Sequence, residues 1–327
     1  MYKIAVENLQ ALFQKIAADQ DLYLPVKVSD QVNFRAWSQD AEVCLDTLKN
    51  RKITEKMLSF HRVKTFIPAK KKERTLPSKP QALQEKNFVV FGMKACDVQG
   101  VKVLDNVFLS DPVDTFYAAR RDHGTIVALA CHEPEESCFC KVFGIDCADP
   151  VADVAAWMIE GELYWKPLTE KGEALTKAVA ELLNDADEAK VEEEKTAIRA
   201  IVEKLPYSNL SLEGWGQEDY MDRFNSPVWE ELYKPCLACG TCTFVCPTCQ
   251  CYDIKDYDTG HGVQRYRCWD SCMYSDFTMM AHGNNRNSQM QRFRQRFMHK
   301  LVYYPVNNNG MFSCVGCGRC VEKCRHP

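Results

Sequence analysis

The sequence predicts an α+β protein, with a mixed α/β domain over residues 1–222 and an α-helical, cysteine-rich domain over residues 223–327. Three observations predict it. Two short apolar runs, residues 87–91 and 125–130, have the length and composition of fully buried strands, and an amphipathic stretch over 101–109 stands between them as a crossover helix. Twelve of the eighteen cysteines fall between Cys236 and Cys324, and six are spread over everything before. A segment rich in Ser, Asn, Gly, Trp and Pro, residues 207–235, separates the two regions and places the break near Asp222.

A chain of 327 residues fits two domains. Its formal charge of −4 argues against a general nucleic-acid or anionic-membrane partner, since both favour basic surfaces. The first residues carry no apolar signal core, and the longest apolar runs are too short to span a bilayer. Cysteines in an unexported chain serve metals more often than disulfides. The expected compartment is the cytoplasm, in a cell kept low in oxygen.

Within the N-terminal domain each predicted strand ends in a cysteine-bearing loop. The first leads through Lys94, Ala95, Cys96 and Asp97 into the amphipathic helix, and the second ends at Cys131 and continues to Cys138-Phe139-Cys140. Parallel strands joined by a crossover helix bring their carboxyl ends to one sheet edge. Cys96, Cys131, Cys138 and Cys140 are therefore expected to meet there. The C-x-C pair is awkward for a mutual disulfide and favours a metal role. Buried structural thiols are the alternative. Cys44 and Cys147 are taken as ordinary thiols. Further along, residues 154–159 and 162–166 read as a hairpin through Glu160-Gly161, and residues 170–204 as a polar helical stretch. The basic run 70–74 reads as a solvated loop. There is no glycine-rich phosphate loop, and the seven histidines make no metal or triad spacing.

The C-terminal domain holds two copies of C-x2-C-x2-C-x3-C: Cys236, Cys239, Cys242, Cys246 and Cys314, Cys317, Cys320, Cys324. This is the run that wraps a [4Fe–4S] cluster, and in two-cluster proteins the last cysteine of each run ligates the other cluster. The assignment is Cys236, Cys239, Cys242 and Cys324 for one cluster, and Cys314, Cys317, Cys320 and Cys246 for the other. Gly240, Gly316 and Gly318 lie between ligands, where a missing side chain lets the backbone approach. The insert between the runs is expected to be largely helical, with residues 289–301 a polar helix and 277–281 apolar enough to pack. Its Arg286, Arg292, Arg294, Arg296, His299 and Lys300 read mainly as a solvated or docking face, with some offsetting cluster charge. Cys249, Cys251, Cys268 and Cys272 also lie in the insert. They read as structural thiols, with an extra metal site at these four as the alternative.

The arrangement of loops leading into helices resembles the α-helical ferredoxins. Residues 91–97 (FGMKACD), 104–109 (LDNVFL), Cys131 and Cys138-Phe139-Cys140 further resemble the iron–sulfur subunits of anaerobic sulfite reductase and of sulfhydrogenase, in the latter the beta subunit. Residues 246–254, 269–272 and 314–320 match the dicluster segment of the same family. The resemblance implies an electron-transfer protein beside a flavin- and NAD(P)-binding partner and a separate catalytic subunit. It also supports a third cluster at Cys96, Cys131, Cys138 and Cys140. Arg325 stands where the family pattern has proline, and Cys268 is an addition to that pattern.

The resulting expectation is an electron-relay subunit of an oxidoreductase complex that is not catalytic alone, because no residue pattern supplies a general base, nucleophile or substrate pocket. Two rivals differ in class: a catalytic reductase with its substrate at the N-terminal cluster, and a zinc-stabilised interaction module.

Overall fold

The computed structural model describes residues 1–29, 31–45, 65–68, 86–260 and 262–325. Its N-terminal part is built on an eight-stranded mixed sheet. The strands are β1 (Tyr2–Ala5), β2 (Asp21–Val28), β3 (Gln31–Ala36), β5 (Phe88–Met93), β6 (Gly124–Leu129), β7 (Val154–Ile159), β8 (Glu162–Pro167) and β9 (Asn184–Asp185). They lie in the order β3-β2-β5-β6-β7-β8-β1-β9. The centre, β2-β5-β6-β7, is parallel, and the flanking pairs are antiparallel. Helices cover both faces. On one, α1 (Leu9–Asp19) and α4 (Glu170–Ala178) pack through Phe13, Ile16 and Leu175 onto Val89, Phe91 and Leu129. On the other, α2 (Ala95–Phe108) packs through Val98 and Val101 onto Val90, Ile126 and Ala128, while α5 (Ala189–Val202) covers Trp157. Residues alternate between these two cores, so β5 and β6 are buried on both sides. That is why they read as continuous apolar runs rather than alternating ones. Helix α3 (Thr115–His123) precedes β6 and is capped by Asp114, whose Oδ1 accepts from the backbone of Phe116 and Tyr117.

The strands and hairpin expected over 87–91, 125–130 and 154–166 are present as β5, β6 and β7–β8. The helix expected over 170–204 is divided. Asn184–Asp185 pairs with β1, and Asp187 Oδ1 accepts from Ala189 N at 2.6 Å, starting α5 afresh. The basic run 70–74 and His61, His261 and His326 lie outside the described residues.

In the C-terminal part, two single helical turns, Thr241–Phe244 and Arg319–Glu322, follow the cysteine loops. Each is entered through a left-handed glycine, Gly240 (φ 72°) or Gly318 (φ 70°). Helix α6 (Gln289–Met298) starts at a Ser288/Gln291 capping box and continues into a wide turn, His299–Tyr303. Only this portion of the insert is the helix expected. Residues before it form a hairpin of β10 (Tyr252–Asp258) and β11 (Gly262–Trp269), turned where Asp258 accepts from Gly260 N. Strand β4 (Thr65–Pro68), from the N-terminal half, pairs with β11. Residues 277–281 do not pack as expected, since Met279 is 57% exposed.

The two halves interlock. Gly100 of α2 lies so close to Pro247 that a Cβ there would stand 2.9 Å from the proline Cβ. Tyr304 Oη donates to the Val103 carbonyl at 3.1 Å, and Phe139 N donates to the Gly316 carbonyl at 2.8 Å. Among the described residues, no helix is long and apolar enough to cross a membrane.

Candidate metal centres

Each C-terminal cysteine loop closes on a cavity, and each cavity is completed by the other loop. Cys314, Cys317 and Cys320 line a space of about 260 Å³ together with Cys246 from the first run. Cys236, Cys239 and Cys242 line a smaller space of about 40 Å³ together with Cys324 from the second run. Backbone conformation makes this possible. Gly316 and Gly318 have φ of 58° and 70°, and a Cβ on them would stand 2.3 Å from Phe139 O and 2.2 Å from Ser137 O. At Gly240 a Cβ would stand 2.7 Å from Tyr274 Oη, which donates to the Cys239 carbonyl.

The two spaces differ in surroundings. In the smaller one Cys239 and Cys324 are exposed. The Thr241 hydroxyl beside its sulfur, backbone N–H groups and nearby Arg325 hold the Cys239 thiol below its ordinary range. Gln289 Nε2 donates to Cys236 Sγ at 3.2 Å.

The larger space holds two buried thiols, Cys246 and Cys317, and is flanked by cations. Lys300 is 8% exposed, its Nζ donates to Thr248 Oγ1 at 2.6 Å, and that oxygen lies 3.2 Å from Cys246 Sγ. Burial opposes the ammonium, but Cys246, Cys249 and Cys314 outweigh it and the pKa is raised. Arg296 behaves alike, opposed by burial and raised by Cys320 and Cys242, and its buried Nε has no hydrogen-bond partner. Cys314 is pushed up to about 11 by burial. Buried cations facing sulfur rather than carboxylate fit an anionic, thiolate-held group. The expectation of a mainly solvated cationic face is corrected for these two side chains. Their i, i+4 spacing was the available signal, since it places them on one face of α6 and the turn that extends it.

The family described as 4Fe-4S dicluster domain matches residues 235–327. Sulfhydrogenase 2 subunit beta of Pyrococcus furiosus is 31% identical over 326 residues, covering 98% of this chain and 93% of the relative. The chain belongs to the sulfhydrogenase beta-subunit family. Its dicluster domain makes this family member an iron–sulfur protein.

In this chain the N-terminal cysteines also converge. Cys96 opens α2 and Cys131 follows β6, at the carboxyl ends of adjacent parallel strands. Cys138 and Cys140 sit on the loop that follows, and all four are buried in one cluster with Val315 and Cys317 of the second C-terminal loop. Sequence reasoning missed Cys147, which belongs to the same cluster and is a hydrogen-bond neighbour of Cys131 and Cys140. It missed Lys94 as well, whose Nζ is buried without a hydrogen-bond partner. Burial pushes the Lys94 pKa down, against Cys131, Asp97 and Cys96.

The four insert cysteines are less gathered. Cys251 and Cys272 are hydrogen-bond neighbours, Cys249 lies near Lys300, and Cys268 is opposite Asp253 in the β10–β11 ladder. Among the described residues, no three His, Cys, Asp or Glu side chains converge as the ligands of one ion do.

Proposed function

We propose that this chain is an electron-relay subunit working between a flavin- and NAD(P)-binding partner and a terminal catalytic subunit. In this reading Cys236, Cys239, Cys242 and Cys324 hold one [4Fe–4S] cluster and Cys314, Cys317, Cys320 and Cys246 hold a second. A third is held in the N-terminal cysteine cluster. Such clusters take up and release single electrons. The observation that carries the reading is the crossed lining of the two cavities, three cysteines of one run with the last of the other.

The residues around the cysteines have definable tasks. The thiols run from surface to interior: Cys239 and Cys324 are exposed, while Cys246, Cys317 and Cys96 are buried. Phe139, Phe297 and Val315 line the second site with apolar surface. Lys300 and Arg296 offset negative charge there, which favours the reduced state. The sulfhydrogenase name of the relative and the flavoprotein implied by the family resemblance supply the partners.

A second reading, reduction of a small substrate at the N-terminal site, draws on a polar cavity of about 270 Å³ lined by Ala95, Gln99, Lys102, Asp146 and Asp149, beside Cys96. Anaerobic purification of the tagged chain from its own cells tests the relay. A flavin-carrying chain and a further subunit should copurify in fixed ratio, whereas a chain that purifies alone and active would favour the second reading.

A further inference from the structure

Thr248 is buried, 1% exposed, and its single hydroxyl stands between a lysine nitrogen and a cysteine sulfur. We propose that it donates its proton to Cys246 Sγ and is thereby a positioning residue that sets the potential of the second C-terminal centre, an inference that rests on the ligation of that centre by Cys246 proposed above.

Three separate segments put the hydroxyl in place. Pro247 and Thr248 form a tight turn directly after Cys246, and the proline ring fixes φ at its first position. The N-terminal half braces that turn from outside, because Gly100 of α2 stands so close to Pro247 that a Cβ would be 2.9 Å from the proline Cβ. Lys300 arrives from the turn that extends α6, and its carbonyl accepts from Ser313 N at 3.2 Å, one residue before Cys314. Its Nζ then meets Thr248 Oγ1 at 2.6 Å, and that oxygen lies 3.2 Å from Cys246 Sγ.

The direction of the second contact follows from the number of protons. A hydroxyl offers one proton and two lone pairs. The Lys300 nitrogen donates to one lone pair and asks for no proton in return. A cysteine that ligates iron has given up its own proton and can only accept. The Thr248 proton is therefore directed at the sulfur. A hydrogen bond to a ligand sulfur offsets part of the charge that reduction adds, and such bonds are among the features that set a cluster's potential. Valine has the same shape and would fill the space, but it would leave the sulfur without this donor.

The test uses the full-length chain, loaded anaerobically with iron and sulfide. It reads iron content, and the potential of each centre by titration followed with paramagnetic resonance. Thr248→Val should keep the wild-type iron and lower the reduced-to-oxidised ratio of the centre held by Cys314, Cys317 and Cys320 by about three- to tenfold at a fixed poise. Thr248→Ser, which keeps the hydroxyl, should restore the wild-type ratio. Valine also removes a partner of Lys300, so the same substitution is made in a Lys300→Met background, where a further fall is expected because the proton acts on the sulfur directly. No further fall there would overturn the inference, leaving the lysine as the whole cause. An unchanged potential in Thr248→Val, or no rescue by serine, would overturn it too. If valine loads poorly, Thr248→Ala against Thr248→Ser makes the same comparison. A fall confined to the centre of Cys236, Cys239 and Cys242 would instead refute the ligand assignment on which the inference rests.

Discussion

Arg319 and Asp97 form a two-pronged ion pair at the junction of the two halves, with both side chains no more than 2% exposed and Nη2 2.7 Å from Oδ2. They stand 222 residues apart in sequence. Arg319 lies between Cys317 and Cys320, and Asp97 follows Cys96, so the pair fixes one cysteine loop against another. Removing one partner leaves a buried, uncompensated charge, which costs about 3–5 kcal/mol. Arg319→Met and Asp97→Leu should each lower the urea midpoint of the anaerobic protein markedly. The double variant should lose less than the sum of the two, because no charge is then stranded. Additive losses would show that the two groups do not act as a pair.

Gly316 gives a second, steric prediction. A Cβ there would stand 2.3 Å from Phe139 O, a backbone atom, so Gly316→Ala should push the two loops apart. The chain should lose about four of its irons and the brown absorbance that goes with them. Gly144, also left-handed at φ 70°, has nothing within 4 Å of its Cβ position. Gly144→Ala should cost only about 1–2 kcal/mol of backbone strain and keep its iron. Equal iron in both variants would show that the close approach at Gly316 is not required.

Crossed ligation predicts which signal each terminal cysteine controls. Cys246→Ser should alter the resonance of the centre held by Cys314, Cys317 and Cys320. Cys324→Ser should alter that of Cys236, Cys239 and Cys242. A change confined to the centre of the same run would reverse the assignment.

Lys300 should set a potential. Reduction adds negative charge, which a buried cation nearby stabilises, so Lys300→Met should make the second C-terminal centre harder to reduce. With an effective dielectric constant of about 20, the shift should be on the order of tens of millivolts toward the negative. A potentiometric titration followed by paramagnetic resonance reads it, and no shift would place the ammonium's influence elsewhere.

The cysteine runs were legible in the sequence because their spacing is short and local chemistry dictates it. So were β5 and β6, whose burial on both faces leaves uninterrupted apolar runs. Cys147 was not, because its place depends on a loop returning to Cys131 through backbone bonds that no spacing records. That some of the insert's cations offset cluster charge was expected, but which ones was not legible, for a related reason. Arg296 and Lys300 look like part of a solvated face until the thiols opposite them, brought from residues 246 to 320, are in position. The β10–β11 hairpin is masked by the helical habit of its neighbours. Tyr252, Ile254 and Tyr257 of β10 are exposed, and the buried face is confined to Arg267 and Trp269 at the end of β11, too short to impose a clear period of two.

The relay itself is tested most directly by titrating the isolated, anaerobically loaded chain with a strong reductant and then offering it small acceptors. The account predicts uptake of about three electrons per chain, one for each cluster. It also predicts no steady turnover of sulfite, polysulfide or protons until a catalytic partner is added. Sustained turnover by the chain alone, or uptake of no electrons by an iron-loaded chain, would contradict it.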